Sequence, residues 1–182
     1  MDFTPSLLNS PLFLLQKQFD MIIRIATEID IRLISELAEK TWWPSYSQII
    51  SDEQISFMLE DMYSAESLLE QMKSGIDFLI SERENIGIGF AAYSLTDAEN
   101  QVYKLHKLYV LPSEQGLGTG KKLIDQVADS AKLKGGKTLE LNVNRGNPAQ
   151  HFYKKTGFEI YQTVDINYHH FVLNDYVMRK EL

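Results

Sequence analysis

The chain has no cysteine. A disulfide scaffold, a thiol nucleophile and a thiolate metal site are therefore excluded, and a reducing cytoplasm is the default location expected. Histidine is scarce as well: there are four, with His169 and His170 adjacent, so no metal centre is expected. Proline occurs five times in 182 residues, which leaves no Pro-rich linker, and no internal repeat appears. No apolar run reaches the roughly 20 residues of a membrane span, so no membrane partner is expected. Basic residues are outnumbered, 18 Lys and Arg against 25 Asp and Glu, for a net charge of −7. That balance argues against nucleic acid as the partner and leans towards a cationic one. What remains, 44% hydrophobic and 24% charged, suits one globular domain with its own core.

The most informative stretch is 108–122. A β-type run, Leu108-Tyr109-Val110, ends near Pro112, and glycines follow at alternate positions: Gly116, Gly118 and Gly120. A helical pattern then begins, with Leu123, Ile124, Val127, Ala128 and Ala131 on one face. A glycine loop that opens a helix leaves backbone N–H groups unpaired at the positive end of the helix dipole, which makes an anion site. A phosphate-bearing ligand is expected there. Two well-known loops do not fit. A Walker A loop aligned on Gly120-Lys121 would need glycine at Gln115 and Ser or Thr at Lys122, and the third glycine of G-x-G-x-x-G would fall on Lys121 or Leu123. The pattern present is Gln-x-x-Gly-x-Gly, as Gln115, Gly118 and Gly120.

A second pattern follows about thirty residues later. Leu139, Leu141 and Val143 alternate with polar residues as a strand does, then Asn147-Pro148 opens a helix with Asn147 as its cap. Ala149, Phe152, Tyr153, Lys154, Lys155, Gly157 and Phe158 complete it, with Gly157 at the left-handed position that ends a helix. Together the two segments resemble the cofactor motifs of the GNAT N-acetyltransferase family.

The coarse layout agrees with that resemblance. A first strand is expected near 22–26, then an amphipathic helix from Ile31 to about Thr41, stopped by Trp42-Trp43-Pro44-Ser45-Tyr46. A helical region over 52–72, broken near Ser64, ends at Gly75. Strands are expected over 77–81, 86–95 and 102–110, with the polar turn Glu82-Arg83-Glu84-Asn85 joining the first two. After the two motif segments come strands over 159–166 and 171–179, joined by a turn at 167–170. This is a mixed α/β (α+β) fold with a largely antiparallel sheet. The resemblance implies a splayed parallel pair in its middle and flanking helices. Residues 1–20, with Leu7, Leu8, Leu12, Phe13, Leu14 and Leu15 but no basic start, read as an extension ahead of a domain over 21–182. Met21 is a possible true start, and the rival reading is a short helix covering the sheet.

The resemblance implies an acyltransferase that moves acetyl from the cosubstrate acetyl-coenzyme A to an amine. It assigns backbone groups of Leu108 and Val110 to the pantetheine arm and a backbone N–H near Tyr109 or Val110 to the thioester carbonyl. The amides of Gln115, Gly116, Leu117, Gly118, Thr119, Gly120 and Lys121 are assigned to the pyrophosphate, and Asn147 to the cofactor arm. Tyr153 matches the tyrosine placed to protonate the departing thiolate. For the base, His106 stands two residues before Leu108 and, in a regular strand, on the same face; Glu66, Asp77 and Asp97 are acidic alternatives. Trp42, Trp43 and Tyr46, with Tyr63, Tyr168 and His169, make an aromatic group that suits an alkylammonium beside Glu60, Asp61 and Glu66. The 41–46 segment with Tyr63-Ser64 is similar to the polyamine-acetylating branch.

Two rival functions stand beside a small cationic amine as acceptor: acetylation of a protein N-terminus or lysine, and a non-catalytic acyl-coenzyme A-binding module. The last two strands offer a surface for a homodimer.

Overall fold

The computed structural model describes residues 21–182; the readings made for 1–20 lie outside them. The order is β1 (Met21–Ile25), a 3-10 turn at Glu28–Asp30, α1 (Ile31–Tyr46), α2 (Asp52–Tyr63), α3 (Ala65–Lys73), β2 (Asp77–Arg83), β3 (Ile86–Asp97), β4 (Val102–Val110), α4 (Thr119–Leu133), β5 (Thr138–Asn144), α5 (Ala149–Lys155), β6 (Glu159–Tyr168) and β7 (Phe171–Glu181). The strands form one sheet in the order β1-β2-β3-β4-β5-β7-β6. All neighbours are antiparallel except β4 and β5, which are parallel at the centre. The expected mixed, largely antiparallel sheet with flanking helices is what forms.

Each face of the sheet carries a core. On one, Tyr103, Leu105, Leu139, Leu141 and Val143 pack against Leu123, Ile124, Val127 and Ala131 of α4, with Phe152 and Tyr153 of α5 at the margin. On the other, Phe78, Ile80, Phe90 and Ala92 pack against Ile34, Leu37, Ala38 and Trp42 of α1 and Ile55, Met58, Leu59 and Tyr63 of α2. These are the period-2 and period-3.6 apolar rows of the sequence, which leave water together. The break at Ser64 is a capping event: its hydroxyl accepts the Ser67 N–H at 3.4 Å.

Three local expectations are corrected. First, α1 does not stop at Thr41 but runs on to Tyr46 with Pro44 inside it. Pro44 cannot donate to a preceding carbonyl, but it stands in the last turn, and the helix bond beyond it still forms: Ser47 N–H donates to the Trp43 carbonyl at 3.1 Å. Second, the β2–β3 turn is two residues rather than four. Glu84 and Asn85 both have positive φ, 53° and 62°, the geometry that matches strand twist in a tight hairpin. The β6–β7 turn is likewise His169-His170 alone, and both strands extend further than expected.

The third correction lies in β4. Ala92 pairs with Lys107 and Tyr93 with Leu105, so His106 is an extra residue, a β-bulge. The bulge breaks the alternation. Leu105 and Leu108 pack on the α4 face, whereas His106 Nε2 lies 2.8 Å from the hydroxyl of Ser94, in the Phe90–Ala92–Ser94 row of the other face. His106 therefore does not share the face of Leu108, as a regular strand would require.

Candidate active site

The β4–β5 ladder runs from Val102–Thr138 to Leu105–Leu141 and stops there. Both strands continue, β4 to Val110 and β5 to Asn144, so the sheet opens into a wedge beginning at the bulge. The wedge leads into a cleft of about 830 Å³. The β4 residues from Leu105 to Val110 and the β5 residues from Leu141 to Asn144 line its walls. Beyond Leu105 the β4 edge facing the wedge pairs with no strand among the described residues, and β3 occupies its other side.

The glycine loop closes one end. Gly116 and Gly118 have φ of 80° and 85°, and a Cβ on either would meet nothing within 4 Å. The loop backbone is thus left-handed, and the space beside it is open. Lys122 N–H reaches back to the Gly118 carbonyl at 3.0 Å. The Gln115 and Leu117 N–H groups donate to Pro112 and Glu114 at 3.3 and 3.4 Å, so those two amides, expected at a pyrophosphate, are engaged within the loop. The N–H groups of Thr119, Gly120 and Lys121 belong to the first turn of α4, which has no intrahelical carbonyl for them. Gln115, Gly116, Gly118, Gly120 and Lys121 line the cleft. Thr119 is buried, 1% exposed, and its hydroxyl donates to Glu114 at 3.0 Å; Leu117 is 64% exposed. Arg83 holds Glu114 from β2 at 3.1 Å. This guanidinium, with the Thr119 hydroxyl, keeps the Glu114 carboxyl below its usual range. Lys121 pairs with Asp125 along the helix.

The opposite wall comes from α5. The helix starts one residue later than expected, at Ala149, but Asn147 still caps it, its side-chain oxygen accepting the Ala149 N–H at 2.8 Å. Tyr153 lines the cleft, with ring contacts to Phe152 and Phe158 at 5.5 and 5.9 Å. Burial, with a smaller contribution from Tyr46, pushes its phenol above the ordinary tyrosine value.

The floor on the α1–α2 side is aromatic. Trp42 contacts Tyr46, Tyr63 and Tyr109 at 4.7, 5.6 and 6.0 Å, and the Tyr46 and Tyr109 hydroxyls lie 3.3 Å apart. Trp42 and Tyr46 are four residues apart on a helix and share its face. Trp43 is one step round and leaves the cleft: its indole N–H donates to Glu39 at 3.0 Å. With Glu39 and Glu60 it lines a separate hollow of about 290 Å³.

The acidic residues expected around an alkylammonium are elsewhere. Glu60 is on that hollow, Asp61 binds the Tyr168 hydroxyl and lies 3.7 Å from His169, and Glu66 is exposed on α3. Asp77 pairs with Lys134, and Asp97 accepts from Asn100 in the β3–β4 turn. None of the five lines the cleft. His106 does, but burial first, then Lys104 and Lys107, lower its imidazole to about 4. It is neutral at physiological pH.

Two charged groups of the cleft were not singled out from the sequence. Lys107 is 8% exposed, with its ammonium 4.8 Å from the centre of the Tyr63 ring. Burial alone lowers it to about 8. Asp175 of β7 is also 8% exposed, and Asn142 donates to it at 3.4 Å. Burial raises its carboxyl, against smaller opposing effects of Asn142, Lys104 and Arg145. A signal for Asp175 existed, since it interrupts the row Leu173–Asp175–Val177. For Lys107 there was none, because the bulge decides which way it points.

The same architecture occurs in known proteins. Residues 46–180 match the family described as acetyltransferase (GNAT) domain. An uncharacterized N-acetyltransferase of Mycobacterium bovis is 30% identical over 153 residues, covering 82% of this chain and 96% of that one. The spermidine N(1)-acetyltransferase of Thermoplasma acidophilum is 29% identical over 140 residues, 74% of this chain and 85% of that one. The crystal structure of PaiA N-acetyltransferase from Thermoplasma acidophilum in complex with coenzyme A superposes with a TM-score of 0.78 at 27% identity, over 90% of this chain and 99% of that one. Among the described residues no helix is long and apolar enough to cross a membrane. With both motifs bordering one wedge-shaped cleft and the match spanning most of the chain, this protein belongs to the acetyltransferase (GNAT) domain family.

Proposed function

We propose that the protein transfers the acetyl group of acetyl-coenzyme A directly to a primary amine of a small, cationic, polyamine-like acceptor. The observation that carries this reading is the wedge: a β4 edge from His106 to Val110 with no strand partner among the described residues, ending at a left-handed glycine loop that has open space beside it and starts a helix. A pantetheine arm has the amides to extend such an edge, at Leu108 and Val110, and a pyrophosphate suits the helix-opening amides from Gly118 to Lys121. The relative named for spermidine acetylation supports the acceptor class.

Acetyl-coenzyme A supplies an activated acyl group as a thioester. The chain's residues then have four tasks. The N–H of Val110 steadies the negative charge that grows on the carbonyl oxygen, since Tyr109, one residue before it, turns its backbone groups to β3. Asn147 contacts the cofactor arm while it caps α5, and Trp42 and Tyr46 wall the acceptor side. Tyr153, held protonated by burial, donates to the sulfur. The acceptor nitrogen bonds to the carbonyl carbon as the carbon–sulfur bond breaks. The ammonium gives up one proton before attack, to a base and then to solvent, and a second after it, which restores the proton that Tyr153 gave to sulfur. His106 and Asp175 are the candidate groups to take the proton lost before attack.

The test is thiol release from acetyl-coenzyme A against spermidine, putrescine, amino sugars, amino acids and N-terminal peptides. Amine-dependent release with spermidine or putrescine is expected. Release with peptides alone would replace the acceptor by a protein N-terminus. Tight acetyl-coenzyme A binding with no release across the panel would replace the enzyme by a binding module.

A further inference from the structure

We infer that Asp175, oriented by Asn142, is the seat of the acceptor's ammonium and takes its first proton. The inference rests on the acetyl-transfer reading and names the residue that completes it.

Among the described residues lining the cleft, the carboxylates are Glu114 and Asp175. Glu114 is committed to Arg83 and Thr119 at the loop end. Asp175 is not committed. No cation lies within ion-pair distance of it among the described residues, and Asn142, at a long 3.4 Å, is the side chain that donates to it. A buried carboxylate accepts several hydrogen bonds when ionised, and one left short of donors is costly. Its neighbour repeats the deficit: the Asn142 side-chain oxygen is buried without a partner. Two adjacent acceptors lacking donors are the complement of a primary ammonium, which has three N–H donors and no acceptor.

Position and chemistry agree. Asp175 pairs with Asn144 across the β5–β7 ladder. Asn142, Asn144 and Asp175 fall on the sheet face opposite Leu141, Val143 and Tyr176, which face α4. That is the face of Trp42, Tyr46 and Tyr63, across the wedge from the bulge. The Asp175 carboxylate adds to burial in keeping the Tyr46 phenol protonated. Raised above the usual carboxyl range by burial, Asp175 is a better proton acceptor than a solvated aspartate. His106 is lowered by burial, Lys104 and Lys107, and its Nε2 is engaged with Ser94. The charged and titratable groups around Asp175 are Tyr46 from α1, Lys104 from β4 and Arg145 from the β5–α5 loop, with Lys107 and His106 on the other wall.

The experiment compares wild type, Asp175→Asn, Asp175→Glu and Asn142→Leu. Readouts are spermidine-dependent thiol release from pH 4 to 9.5 and acetyl-coenzyme A affinity by calorimetry. For Asp175→Asn, kcat/KM is expected to fall at least about 100-fold and to lose its acidic limb, with acetyl-coenzyme A affinity within twofold of wild type. Asp175→Glu recovers part of the activity and the limb. Asn142→Leu raises the KM for spermidine about tenfold and leaves kcat within threefold. Asp175→Asn with unchanged kcat/KM and pH profile overturns the inference alone. If that variant does not fold, an unchanged KM in Asn142→Leu does the same. A wild type silent towards spermidine and the rest of the panel overturns the acceptor reading, and this inference with it.

Discussion

Lys107 is the residue whose charge most constrains the acceptor. Its ammonium is buried, stacked near Tyr63, and pairs with no carboxylate among the described residues. Two unit charges about 8 Å apart at an effective dielectric near 20 repel by about 2 kcal/mol. A polycation must therefore place its further charges away from this wall. Because Lys107 loses its proton as pH rises through about 8, the handicap is present below that pH and fades above it. Lys107→Met is expected to lower the KM for spermidine roughly five- to thirtyfold at pH 7 and little at pH 9. An unchanged or higher KM for spermidine at pH 7 would contradict this charge repulsion. At Tyr153, removal of the hydroxyl alone separates acid from packing. Tyr153→Phe should reduce kcat by about 100-fold, with acetyl-coenzyme A affinity within twofold of wild type; a kcat within threefold of wild type would end the acid role.

At the scale of elements, the glycine loop and its tether to β2 decide whether a phosphate site exists. Gly118→Ala meets no atom, so its stability cost is that of a left-handed alanine, about 1 kcal/mol. The new methyl nevertheless occupies the open side of the loop. Acetyl-coenzyme A affinity should fall at least about tenfold while the melting temperature drops by about 2 to 4 °C, and affinity within twofold of wild type would remove the loop from the pyrophosphate site.

The tether Arg83–Glu114–Thr119 crosses from the sheet to the first residue of α4. Glu114 titrates lower in the folded chain than when unfolded. Its contribution is thus complete above the unfolded value near 4.5 and is lost as pH falls through the folded one. Glu114→Gln is expected to cost about 1 to 2 kcal/mol at pH 7 and progressively less below pH 4. Urea melts at the two pH values check this, and a cost that grows with acidity would contradict it.

Helix α1 makes a complementary point. Its apolar positions were legible as far as Thr41, but packing against Tyr63 and Tyr109 carries the helix past Pro44. That extra turn separates Trp42 and Tyr46 from Trp43.

For the whole molecule, the cleft joins two groups of strands, β1–β4 and β5–β7–β6, which among the described residues are laddered together only by the short parallel pairing from Val102 to Leu105. A ligand that fills the wedge contacts both and binds only the folded chain. Acetyl-coenzyme A at 100 times its Kd should therefore stabilise by about 2.7 kcal/mol, roughly 5 to 10 °C in melting temperature for a chain of this size. Scanning calorimetry with and without acetyl-coenzyme A reads it; no shift at saturating concentration would sink the proposed cofactor site.

The kinds and order of the elements, the two cofactor motifs and the family were legible in the sequence. Those depend on local spacing: alternate apolar residues for strands, glycines where φ must be positive, and an asparagine two residues ahead of an open N–H. Tertiary structure alone decided which groups meet in the acceptor half of the cleft. His106 changes face because β3 opposes two β4 residues with one. Lys107 is buried because Tyr63 of α2 lies over it. Asp175 reaches the site from the far end of the chain because β7 inserts between β5 and β6. Each outcome depends on strand register and burial between segments distant in sequence, which no local pattern encodes.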